Sequence, residues 1–319
     1  MLKKINMKTK GTNKTFDDGF EQFILEHCVM KNLRPSTEKH YREITKYSFY
    51  KFYDKDTELQ NLQQEDINNY VLWLKERDIK ESTINIQLKA LKTVIKFFKD
   101  KGWIDDCIKV ALIKADIEEI EAYTDEEISK LLVKPNLKKC TFVEYRNWVC
   151  VCFLCNTGCR RSTLINIQLE DLNVENGYCH YRHTKNRKAQ TVPISPSMCN
   201  IIKEYLEYLP QECIYLFPTV LGEQMKARSI SHALDDYNHS RNIQRTGIHK
   251  FRHWFCKKSV LLGMDLIRLQ KIVGHSNLEV LRNYVNLLTQ DLKKDEVIFN
   301  PLEDIQRKNK ETKHIKLKK

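Results

Sequence analysis

Residues 249–284 read HKFRHWFCKKSVLLGMDLIRLQKIVGHSNLEVLRNY, and the residue types in this stretch suit chemistry on a phosphate. His249 and His253 enclose Arg252, a Gly274-His275 pair follows, and Tyr284 stands nine positions after His275. An arginine clamps phosphate oxygens with a planar fork of donors. A histidine gives or takes a proton near neutral pH, and a tyrosine hydroxyl can attack phosphorus to form a covalent ester. The His249/His253 spacing is also that of zinc-binding histidines on a helix. Here Lys250 and Arg252 lie between them, so two cations would crowd the ion and the general base is missing. The stretch points to phosphoryl transfer with no metal and no cofactor.

Two further cations lie upstream, each on an element able to carry it to such a site. A nearly continuous apolar helix over residues 148–154 runs into Asn156-Thr157-Gly158-Cys159-Arg160, where Gly158 can stop one helix and let another begin. An arginine at that junction, Arg160, can reach an anion supported by helix-start amides. After Asp171 the pattern alternates. Residues 178–184 and 191–195 are rich in β-branched and aromatic types around the turn Lys185-Asn186-Arg187-Lys188, which reads as a hairpin. Its tip can place the Lys185 ammonium beside a scissile bond, with Lys188 nearby for the DNA backbone. Helices resume at Pro196 and near Lys226, where Ile230, Leu234 and Tyr237 share a face.

The first third of the chain is helical by its periodicity. Thr15 can cap a helix with Phe16, Phe20, Phe23 and Ile24 on one face. A second follows Arg34-Pro35-Ser36 with Tyr41, Ile44, Ser48 and Phe52, and a third carries Ile67, Tyr70, Val71 and Leu74. A fourth has Ile84, Leu88, Leu91, Ile95 and Phe98 on one line and Lys89, Lys92, Lys96 and Lys99 on another, before Gly102 ends it. No acid interrupts that lysine line, which by itself suits a solvated helix face or a phosphate-tracking stripe equally; in company with the phosphate-suited residues it is expected to track DNA. The pattern loosens over residues 105–123. It resets at Thr124-Asp125-Glu126-Glu127, a capping box ahead of Ile128, Leu131 and Leu132.

Composition agrees with an anionic partner: 319 residues carry a formal charge of +12. No apolar run reaches bilayer-spanning length and the N-terminus lacks a signal-peptide core, so a soluble, cytoplasmic chain is expected. Eleven cysteines, an odd number, suit reduced thiols in that compartment. Cys150, Cys152, Cys155 and Cys159 flank an apolar run without a second ligand pair, and read as structural thiols, not a zinc site.

Taken together, Thr157-Gly158-x-Arg160, Thr184-Lys185 followed by Val192-Pro193, His249-x-x-Arg252-His253, Gly274-His275 and Tyr284 resemble the active-site set of the tyrosine recombinase (phage integrase) family. The resemblance implies a mainly α fold: a helical core-binding domain, then a mixed α/β catalytic domain with a small antiparallel sheet. It divides the chain into a basic tail (1–14), the helical DNA-binding domain (15–104), a linker (105–123), the catalytic domain (124–299) and a basic C-terminal tail (300–319). It implies a 3′-phosphotyrosyl intermediate on Tyr284, Arg160 and Arg252 on the non-bridging oxygens, and Lys185 protonating the 5′ oxygen. His249 would assist proton transfer at the tyrosine and His275 would hydrogen-bond the phosphate. It further implies double-stranded DNA with two recombination sites, a homotetramer on that DNA with residues 291–299 packing on a neighbouring protomer, and room for an accessory directionality factor. The role would be integration, excision, transposition or dimer resolution. Two departures stand out: Thr163 and Lys250 occupy positions where the family usually has acids. Glu170 or Asp171 could replace the missing carboxylate. At this point a type IB topoisomerase-like relaxer and a DNA-binding regulator with weakened catalysis stay open.

Overall fold

Thr15 opens the first helix of the computed structural model, which describes residues 14–116, 121–182, 184 and 189–274. The chain divides into two compact units, residues 1–119 and 120–319. In the first, α1 (Phe16–Phe23) starts from a reciprocal cap: Asp18 N donates to Thr15 Oγ1 at 3.2 Å, and Thr15 N donates to Asp18 Oδ2 at 3.1 Å. The helix then widens into a π-turn over Ile24–Val29. The second helix does the same, passing from α2 (Pro35–Ile44) through a π-turn (Thr45–Phe49) into α3 (Tyr50–Phe52). A wide turn shifts the register of everything after it. Thr45, Ser48 and Phe49 are therefore buried, while Ile44 and Phe52, expected on the core stripe, are only partly covered. The buried Ser48 hydroxyl lies 3.0 Å from the Tyr70 hydroxyl, which in turn donates to Gln87 Oε1 at 3.1 Å.

Helix α4 (Gln64–Lys75) buries Ile67, Tyr70 and Leu74, and α5 (Glu81–Asp100) buries the whole expected line from Ile84 to Phe98. Lys89, Lys92 and Lys96 are exposed and make no ion pair among the described residues. Lys99 differs: it is partly covered, and its Nζ donates to the Asp106 carbonyl at 2.6 Å. Nor is the stretch from 105 onward a free tether at its start. Gln64 pairs with both backbone groups of Lys109 (2.6 and 3.0 Å) and Asn85 with both of Ile113 (3.0 and 2.9 Å), as a neighbouring strand would. Ile108 and Val110 are buried in the helical core.

The second unit begins at the Thr124 cap of α6 (Asp125–Leu131) and is built around α7 (Phe142–Thr157). This helix is apolar on nearly every side, as a helix surrounded by others must be. Packed on it are α9 (Pro196–Leu206), α10 (Ala227–Ser240) and α11 (Ile248–Leu261). Its three buried polar residues are satisfied: Arg146 Nη1 donates to the Pro218 carbonyl at 2.8 Å, Asn147 Nδ2 to that of Ala233 at 2.9 Å, and Thr157 Oγ1 to that of Phe153 at 2.8 Å. A short α8 (Arg161–Leu164) follows α7, and α12 (Leu266–Val273) follows α11.

The sheet is antiparallel in the order β1 (Leu172–Asn173), β2 (Tyr178–Tyr181), β3 (Gln190–Pro193). Cys179, Tyr181 and Val192 point into the core, and Gln190 lies across from Tyr181. The hairpin expected from alternation is present. Two-residue β1 carries no alternation to read. All eleven cysteines are free thiols, and burial pushes the Cys159 thiol up to about 11 and that of Cys152 to about 12, out of nucleophilic range. No helix among the described residues is long and apolar enough to cross a membrane.

Candidate active site

Arg160 reaches the site because α7 stops sharply. Gly158 takes a left-handed conformation (φ 58°), and its N–H donates back to the Leu154 carbonyl at 2.8 Å. A side chain is excluded there twice over. The backbone angle disfavours it, and a Cβ would lie 2.9 Å from Phe255 Cγ and closer still to Cδ1. Two residues on, Arg160 is the extended N-cap of α8. Arg252 comes from the second turn of α11 and is only 4% exposed. That helix is held at its base by Gly247 (φ 107°), whose N–H meets Asp235 Oδ1 at 3.1 Å. Tyr123 packs on Phe251, with ring centroids 4.3 Å apart. Asp125 takes hydrogen bonds from Trp254 Nε1 (2.8 Å) and Lys258 Nζ (2.5 Å).

The two guanidiniums converge on the end of α12. Arg252 Nη2 donates to the Val273 carbonyl at 2.8 Å and its Nη1 to the Gly158 carbonyl at 2.8 Å. Arg160 Nη1 shares the Val273 carbonyl at 3.3 Å, and its Nη2 takes that of Gly274 at 2.9 Å. Terminal helix carbonyls lack intrahelical donors and carry the negative end of the helix dipole, so they can hold cations. Arg160 makes no ion pair among the described residues. Burial, and next the charge of Arg252, pull its guanidinium down to about 10, and it remains a cation at neutral pH. Concentrated positive charge against backbone acceptors is an arrangement ready to take an anion.

His249 is exposed, one turn before Arg252 on α11. Its neighbour His253 is held neutral: burial first, then the charges of His249 and Arg252, lower it to about 4 from the usual 6.5. Because the unfolded chain takes up that proton first, stability is fully present above pH 6.5 and is lost as the pH falls towards 4. His253→Gln is therefore expected to flatten the fall in Tm over this window relative to wild type, as read by melts at closely spaced pH values.

Lys185, Lys188, His275 and Tyr284 lie outside the described residues; their neighbours Thr184, Gln190 and Gly274 are within them. The substitute carboxylates do not reach the arginines of the site. Asp171, 4% exposed, holds Arg182 Nε at 2.5 Å, and Glu170 holds Arg182 Nη1 at 2.7 Å. Thr163 is buried behind Arg160, with its N–H on the Arg160 carbonyl (2.9 Å), and Lys250 pairs with Glu121. Among the described residues, the two guanidiniums donate to backbone carbonyls at 158, 273 and 274. The only sequence signal for them was glycine at two of those positions.

Comparison with known proteins follows the same division of the chain. The model of the phage integrase family matches residues 121–291, and that of the phage integrase N-terminal SAM-like domain matches residues 20–105. Tyrosine recombinase XerA of Pyrococcus furiosus is 28% identical over 244 residues, covering 75% of this chain and 82% of the relative. Among solved structures, the fold resembles the Tn1549 transposon integrase in complex with transposon right end DNA. That likeness has a TM-score of 0.70 at 16% identity and covers 93% of this chain and 100% of that one. It also resembles a lambda integrase tetramer bound to a Holliday junction, with a TM-score of 0.67 at 14% identity over 86% of this chain and 78% of that one.

Proposed function

The chain belongs to the phage integrase family of tyrosine recombinases, and from that premise we propose that it cuts and rejoins DNA at two recombination sites through a 3′-phosphotyrosyl intermediate. The Tyr284 hydroxyl loses its proton and bonds to the scissile phosphorus, the bond from phosphorus to the 5′ oxygen breaks, and that oxygen is protonated as it leaves. A 5′ hydroxyl of another strand then attacks the phosphotyrosine, releasing Tyr284. The ester keeps the free energy of the broken phosphodiester, so no nucleotide is consumed. Arg160 and Arg252 take the non-bridging oxygens, where charge builds. Lys185 is the proton donor to the 5′ oxygen, His249 assists at the tyrosine, and His275 hydrogen-bonds the phosphate. Lys89, Lys92 and Lys96 meet the DNA backbone; Lys188 joins them from the hairpin, and Lys99 contributes charge from its carbonyl tie.

The observation that carries this reading is the meeting of two guanidiniums on the Val273 carbonyl, immediately before Gly274-His275. The chain acts as a homotetramer spanning two DNA sites, a reading supported by the likeness to a tetramer on a Holliday junction, and residues 291–299 are proposed to dock between protomers. The outcome is the movement of a mobile element or the resolution of a dimer.

The test uses the full-length protein and nicked duplexes tiling the DNA that flanks its gene. A denaturant-resistant protein–DNA adduct is expected, with the nucleotide mapped to Tyr284 by mass spectrometry, and joint products are expected when two labelled duplexes are supplied. An adduct on another residue sinks the nucleophile assignment. Religation to the parent strand alone, with no joint product, sinks the two-site reading.

A further inference from the structure

Gln190 stands on β3 opposite Tyr181, and its side chain reaches across to α12. Its Nε2 donates to the carbonyls of Lys271 and of Ile272, the latter at 2.6 Å. Together with the arginine contacts, the carbonyls of residues 271–274 all receive donors from side chains: Gln190 takes the first two, Arg160 and Arg252 share the third, and Arg160 takes the fourth. The C-terminal cap of this helix is thus assembled from β3, the N-cap of α8 and α11. Gly274 (φ 65°) makes the approach possible, because a Cβ there would lie 2.6 Å from Gln190 Oε1.

We propose that Gln190 is a positioning residue of the strand-cleavage reaction. It ties the sheet to the end of α12 and so fixes the row of carbonyls that orients Arg160 and Arg252. This rests on the reading that those two arginines clamp the scissile phosphate, and Gln190 is proposed to act through them. An uncapped helix end frays, and a frayed end would leave the guanidiniums with a moving acceptor. The group required is a donor of this length. Methionine matches the length without a donor, glutamate sets carboxylate oxygens against carbonyl oxygens, and lysine keeps donors within reach.

The experiment compares full-length wild type with Gln190→Met, Gln190→Glu and Gln190→Lys in three measurements: single-turnover adduct formation on the nicked duplex, DNA affinity, and amide hydrogen exchange across α12. Displacement of catalytic groups by about an ångström costs on the order of 100-fold, and a loss of that order is expected for Met, with a larger one for Glu. Lys should restore the rate, and DNA affinity should be unchanged throughout. Exchange in α12 should quicken for Met and Glu and stay at the wild-type level for Lys. A side chain that merely fills space gives the opposite ranking, with Met and Glu like wild type and Lys impaired. That ranking, or cleavage by Gln190→Met at the wild-type rate, overturns the proposal. If wild type itself forms no adduct, the functional reading falls; unchanged α12 exchange in Gln190→Met would then overturn the tie as well.

Discussion

Arg252→Ala is expected to slow covalent adduct formation by about 10²- to 10³-fold, the loss typical of removing one preorganised donor from a developing oxyanion. The floor of the assay is Tyr284→Phe, which lacks the attacking hydroxyl and should give no adduct. Arg252 is the more informative position because its effect divides in two. Its fork bridges the Gly158 and Val273 carbonyls, which end α7 and α12, while the residue is 4% exposed. Truncation takes that donor from both carbonyls; Val273 keeps the Arg160 contact at 3.3 Å, and loss of the Gly158 contact costs roughly 1–3 kcal/mol if that acceptor is left unsatisfied. The melting temperature should therefore fall along with the rate. Arg252→Lys separates the two effects. It keeps the charge but gives up the planar fork, so one ammonium cannot serve two helix ends and a phosphate together. Its rate is expected between those of Ala and wild type, with DNA affinity close to wild type. An Arg252→Ala protein that forms adduct at the wild-type rate would remove the arginine clamp from the mechanism.

Much of the scaffold around this pair was legible in residue types. The caps at Thr15 and Thr124, the helix stop at Gly158, the hairpin strands and the two faces of α5 are local devices, set by residues within a few positions of each other. Local devices leave a local signature. The π-turns at 24–29 and 45–49 do not, because a single wide turn is compatible with the same apolar stripe and shows only in which residues end up covered. The ties that hold the start of the stretch after residue 105 left no signature for a related reason. Its pairing is made by side-chain amides of Gln64 and Asn85, 45 and 28 residues away, which mimic a strand edge no pattern announces.

The site divides along the same line. Arg160, His249 and Arg252 were readable as candidates because their chemistry resides in the side chain. Their acceptors were not, because a backbone carbonyl has no residue identity. A search for partners by type leads to Glu170 and Asp171, which the structure gives to Arg182. Holding the arginines on carbonyls has an electrostatic consequence. For Arg160, which makes no ion pair among the described residues, the helix end supplies partial charge and leaves the net charge of the guanidinium available to an anion. At the two positions where acids are missing, Thr163 sits buried with its N–H on the Arg160 carbonyl, and Lys250 pairs with Glu121.

Gly158→Ala tests how closely fold and chemistry are joined at one atom. The left-handed backbone at φ 58° costs an alanine roughly 1–2 kcal/mol. Its methyl would also overlap the Phe255 ring, and overpacking of this kind typically costs about 1–3 kcal/mol. The sum, about 2–5 kcal/mol, is a large share of the stability of an ordinary domain, so a folded protein with a clearly lowered Tm is expected. The overlap can be relieved by moving Phe255 and with it α11, the helix that carries Arg252, or by moving residue 158, whose carbonyl Arg252 holds. Either route displaces the guanidinium, and adduct formation should drop by on the order of 100-fold even at temperatures where the variant is fully folded. Adding Phe255→Leu removes the steric part and leaves the backbone part. The double variant should therefore lose less stability than the two single variants summed, with the coupling expected of residues in contact. Strict additivity would mean that the ring is not what excludes a side chain at 158. A Gly158→Ala protein that cleaves normally below its melting temperature would mean that Arg252 does not need this carbonyl in its present place.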